Sequence, residues 1–150
     1  MRLRLALPLA LLALAGCGKS EKDKYIDEFK PLNDKLLDVG RDLGAAVQGA
    51  DSQSDAALAK QFGALARRLD GVNREIAGLD TPSDLEDEAR ELNGRIDDTV
   101  RDLKDIEKAA RSEEAEDAAA ATVQLAADSE EVNAAQNKLA RATGADVGEK

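Results

Sequence analysis

From residue 22 onward the apolar residues recur in steps of four and three, the seven-residue spacing of helices that pack side by side at a shallow angle. Four blocks carry this pattern. The first holds Tyr25, Phe29, Leu32, Leu36, Val39, Leu43 and Ala46, and the second holds Leu58, Phe62, Leu65, Leu69, Val72, Ile76 and Leu79. The third runs through Leu85, Ala89, Leu92, Ile96, Thr99, Leu103, Ile106 and Ala110, and the fourth through Ala118, Thr122, Leu125, Ser129, Val132, Gln136 and Leu139. Alanine, threonine, serine and glutamine bury little apolar area, at about 25 cal/mol per Å². The fourth helix is therefore expected to be the loosest or most exposed.

Local chemistry marks the boundaries. Glycine around Gly49 ends one helix, and Ser52 with Asp55 three residues later has the pattern of a cap for the next. The stretch Leu79-Asp80-Thr81-Pro82-Ser83 is a stronger break, because proline is accepted in a first helical turn but not deep inside a helix. Ser83 and Glu86 are spaced as a capping box. Between Ala109 and Ala121 there is neither glycine nor proline. Continuing the third seam would place Glu113 and Asp117 in the core, however, and the fourth seam resumes out of phase, so a turn near Arg111 to Glu114 is expected. These limits give helices over about 22–48, 52–79, 83–110 and 114–142, with a bundle over 25–143 and a flexible tail over 144–150. Pro31 falls inside the first block and either kinks that helix or marks its start.

Blocks of about 28 residues, each about 42 Å long at 1.5 Å per residue, joined by short connections, make antiparallel neighbours. The expected fold is all-α, an antiparallel up-down-up-down four-helix bundle. Hairpins that open and associate between chains as a long coiled coil, a homo-oligomer, are the rival arrangement. Shifting the chain by 60 residues aligns 25–79 with 85–139 without a gap and makes 16 of the 55 pairs identical, among them Asp27/Asp87, Leu32/Leu92, Asp42/Asp102, Leu65/Leu125 and Asn73/Asn133. The bundle then reads as two copies of one helical hairpin. Each helix carries an asparagine directly after a core position, namely Asn33, Asn73, Asn93 and Asn133. These four form a candidate polar layer near one end of the bundle, fixing register or lining a small polar site, and the plainer alternative is that they face solvent.

Composition excludes much chemistry. The chain has no histidine, no tryptophan, one cysteine, one tyrosine and two phenylalanines, and Met1 is its one methionine. Histidine is the commonest acid or base near neutral pH, and zinc or copper sites normally draw on histidine or cysteine. Stacking platforms for sugars or bases would need the missing aromatics. No catalytic residue, metal ligand or cofactor is assigned from the sequence, although carboxylates and asparagines leave room for a cation or small ligand inside the bundle. With 31 acidic residues against 21 basic ones, the formal charge of −10 argues against nucleic acid and for a basic partner.

The first residues set an address. Met1-Arg2-Leu3-Arg4 precedes an apolar run from Leu5 to Ala15, too short for a membrane span of about 20 residues, and Leu14-Ala15-Gly16-Cys17 ends it at the one cysteine. This arrangement resembles the signal peptide and lipobox of bacterial lipoproteins. The resemblance implies a signal peptide over 1–16, cleavage between Gly16 and Cys17, a diacylglyceryl thioether and a further fatty acyl group on Cys17, and a lipidated tether over 17–24. With Arg2 and Arg4 removed and every acid retained, the remaining 134 residues carry −12. The resemblance places them outside the cytoplasmic membrane, or on an outer membrane where one exists. Beyond residue 17 the chain is similar to small helical bacterial lipoproteins without assigned roles. It is expected to act as a non-enzymatic binding, adaptor or spacer module whose fourth helix meets an unidentified protein partner.

Overall fold

The computed structural model describes residues 19–112 and 114–144. The expected signal segment 1–16, with Gly16, the expected lipid acceptor Cys17 and residues 145–150 of the expected tail 144–150 lie outside them. The described chain forms four helices, α1 (Glu21–Gln48), α2 (Asp55–Ala77), α3 (Glu86–Ser112) and α4 (Ala115–Thr143), in an all-α four-helix bundle.

Each terminus has an identifiable cause. Ser20 opens α1 with a complete capping box, its hydroxyl accepting from the Asp23 amide at 3.1 Å while the Asp23 carboxylate accepts from the Ser20 amide at 3.2 Å. Residues 21–24 therefore belong to α1 rather than to a tether. Pro31 lies within α1 and does not start it. Pro31 and Asp27 are both exposed, so water can reach the carbonyl that the proline leaves without a helical donor. A short 3₁₀ turn at Ala50–Ser52 follows Gly49, and the Ser52 hydroxyl donates back to the Gly49 carbonyl at 2.9 Å. That use removes Ser52 as a helix cap, and Ser54 takes the role with its oxygen toward the Ala57 amide. The Ser83–Glu86 box gives way to a turn in which Leu85 N–H donates to the Pro82 carbonyl, so α3 begins three residues after Ser83. The third junction falls between Ser112 and Ala115, and Glu114 N–H donates to the Ala109 carbonyl there. Gly144, at φ 71°, closes α4 in the left-handed conformation that favours glycine.

The cross-helix contacts show antiparallel neighbours, because residue numbers fall on one helix as they rise on the next. Lys35–Glu75 and Asp42–Arg68, both 2.5 Å, join α1 to α2, while Glu91–Lys138 at 2.5 Å and Arg95–Glu131 at 2.6 Å join α3 to α4. The helix α3 packs closely on both α2 and α4, and α1 lies mainly on α2, meeting α4 sparsely. The core gathers Leu32, Leu36, Leu65, Leu69, Ile76, Leu92, Ile96, Leu103, Leu125 and Leu139. In its central place α3 buries Val100, Asp102 and Ala109 beyond its expected seam. The seam of α4 is thin: only Leu125 and Leu139 of its seven expected positions are buried, joined by Ala135. Among the described residues no helix is long and apolar enough to cross a membrane.

Candidate binding groove

The sparse contact between α1 and α4 includes two polar contacts toward one end. There the Lys22 ammonium donates to the Ala142 carbonyl at 2.5 Å, and the Gln136 carboxamide donates to Asn33 Oδ1 at 3.1 Å. Beyond Asn33 the two helices leave a groove of about 510 Å³. Leu36, Leu37, Gly40, Leu43, Gly44 and Val47 of α1 form one wall, and Thr122, Leu125, Ala126, Ser129 and Val132 of α4 form the other. Leu69 of α2 and Thr99 of α3 reach it from below. A smaller cavity of about 160 Å³ continues past the shared residues Val47 and Thr122, over Leu58, Phe62 and Ile106.

Three hydroxyls in these walls are turned to their own helices. Thr122 Oγ1 donates to the Ala118 carbonyl at 2.8 Å, Ser129 Oγ to Leu125 at 2.7 Å and Thr99 Oγ1 to Arg95 at 3.1 Å. Such back-bonding satisfies the hydroxyls within the helix and leaves methyl and methylene groups at the surface. Part of the rim is apolar as well, since Leu37 is 51% exposed and Val47 39%. Exposed apolar side chains that converge on one concave strip are the uncommon arrangement, whereas scattered ones are ordinary.

The four asparagines do not make one hydrogen-bonded layer. Asn73 is buried on α2, and its amide donates to the Asn93 carbonyl at 3.2 Å and to Asp97 Oδ1 at 2.7 Å, joining α2 to α3. Asn33 is held instead by Gln136, and Asn133 is exposed at the edge of the groove. Within the described residues no group of three or more cysteine, aspartate or glutamate side chains is arranged to hold a metal ion.

The chain matches no protein-family model, and no curated protein or solved structure is significantly similar to it. Its functional reading therefore rests on its own residues.

Proposed function

We propose that this chain is a lipid-anchored, non-enzymatic binding module on the extracytoplasmic face of a membrane, and that its α1–α4 groove receives an amphipathic helix from a basic partner protein. The groove is the observation that carries the binding reading. From Leu36 to Val47 it runs for about 17 Å at 1.5 Å per residue, the length of about three helical turns. Gly40, Gly44, Ala126 and Ser129 in its walls allow a backbone to approach closely, as small residues do where helices pack tightly. The excess of acidic residues favours a basic occupant through long-range attraction. The lipobox resemblance at Leu14 to Cys17 supports the anchor, which would concentrate the module near partners in the same membrane.

A polar ligand held by the asparagines has less support, because Asn33 and Asn73 are already engaged inside the bundle. Binding of a labelled three-turn peptide, with leucine on one face and lysine elsewhere, tests the groove by fluorescence anisotropy. The full chain should bind it saturably and more weakly as salt rises. Gly44→Leu fills the groove at a position with open space around it, and it should weaken binding at least about tenfold, or 1.4 kcal/mol. Equal affinity for that variant would exclude the groove as the docking site.

A further inference from the structure

The two hairpins of the repeat differ at one cross-helix position. In the first, Asp42 on α1 pairs with Arg68 on α2 at 2.5 Å. The 60-residue shift carries that pair onto Asp102 of α3 and Asp128 of α4. The antiparallel register fixed by Glu91–Lys138 and Arg95–Glu131 sets these two carboxyls opposite each other, and the Asp128 carboxyl acts on Asp102. Where the first hairpin has a guanidinium, the second has another acid. Asp102 is 7% exposed, and its Oδ2 is buried without a donor. Asp128 is half-buried, and its Oδ1 accepts from the Gln124 carboxamide at 2.9 Å.

Two acceptors facing each other, one of them buried, favour a proton or a cation between them. The groups acting on Asp102 are Asp128 across the seam, with Asp105 opposing its ionisation and Arg101 favouring it from its own helix. Lys108, Glu114, Asp117 and Gln124 line the adjoining cavity of about 400 Å³. Because no three carboxylates among the described residues are arranged around a metal position, the geometry favours a proton.

We propose that Asp102 and Asp128 share one proton and act as a pH-sensitive latch holding α4 against α3. Burial first, and the Asp128 carboxyl second, push the Asp102 pKa up to about 7 from an ordinary 3.8. The folded chain thus keeps a proton that the unfolded chain releases at lower pH. The latch's stabilising effect is full below the ordinary carboxyl value of 3.8, falls as pH rises toward about 7, and is gone above it. Since α4 is also a wall of the groove, the latch governs how firmly that wall is held. This last step rests on the groove reading, but the latch itself does not.

Hydrogen exchange of the α4 amides decides the matter, measured by mass spectrometry on the full chain in detergent between pH 5 and 8, corrected for intrinsic rates, with no peptide present. The wild-type opening constant should rise with pH, approaching about tenfold per unit below pH 7, and flatten above it. Asp128→Arg recreates the pairing of the first hairpin, and Asp102→Asn supplies an amide donor in the same shape. Both should lose that slope while keeping the helical circular dichroism of the parent, and if the arginine disturbs folding the asparagine variant decides alone. An equal slope in all three proteins overturns the latch. So does a wild-type slope that vanishes in millimolar magnesium or calcium, since a metal would then occupy the pair. Neither outcome touches the peptide-binding result.

Discussion

Asn73 on α2 donates to Asp97 on α3 across 2.7 Å, and the same amide reaches the Asn93 carbonyl at 3.2 Å. This buried side chain therefore ties the two hairpins together by hydrogen bonds in addition to the close packing of α2 on α3. Removing it deletes both bonds and leaves a small void, while the exposed Asp97 carboxylate can turn to water. Asn73→Ala should cost about 1 kcal/mol in urea denaturation, the usual net value of such bonds. Exposed Asn133 offers the internal comparison, and Asn133→Ala should stay within about 0.5 kcal/mol.

The thin seam of α4 makes its few buried side chains matter more. Leu125 is buried in the core, while Val123, two residues earlier on the same helix, is 74% exposed. Leu125→Ala leaves a cavity and should destabilise the chain by about 2–5 kcal/mol. Val123→Ala removes nothing buried and should fall within about 0.5 kcal/mol. If the two substitutions cost the same, α4 is not seated as described.

The heptad period made the four helices legible, because the first two blocks repeat their apolar step without interruption and the other two keep the spacing with a few polar residues. The caps were harder, since Ser52 and Ser54 lie two residues apart in similar polar surroundings. What selects Ser54 is the 3₁₀ turn, which uses the Ser52 hydroxyl on the Gly49 carbonyl and has no sequence signal of its own. The burial of Asp102 was hidden for a related reason. A seam with one apolar stripe describes a helix that faces one neighbour side, whereas α3 is wrapped by α2 and α4 and buries a second stripe. The repeat carried the clue, in Asp42 and Asp102 being identical while Arg68 becomes Asp128, yet the pairing across helices emerges only with the tertiary register. The groove has the same character: alanine and serine in the fourth seam announce weak packing, but the separation of α1 from α4 is a property of the assembled bundle.

The anchor has its own test. If the lipobox resemblance holds, Cys17 is the one residue whose sulfur can take the thioether, since the chain has no other cysteine. Cys17→Ala should abolish incorporation of labelled fatty acid and move the protein out of the sodium carbonate-resistant membrane fraction. Continued labelling of that variant would place the lipid elsewhere or dispose of the anchor.

Glycines in the helices separate packing from propensity. Gly40 and Gly44 are exposed in α1, and a Cβ at either would meet nothing within 4 Å. Alanine at each should therefore raise stability by about 1 kcal/mol, the ordinary helical difference between the two residues. Gly63 on α2 is different. A Cβ there would lie 2.5 Å from the Glu107 carboxyl carbon, so the side chain of Glu107 must move, and its 2.7 Å pairing with Arg111 moves with it. The displaced group is the far end of a flexible side chain, which makes the cost moderate rather than severe. Gly63→Ala should consequently gain clearly less than the other two, with the propensity gain largely offset. Thermal melts of the three single variants read the difference directly. An equal rise for all three would mean that Glu107 is not held against the backbone of α2.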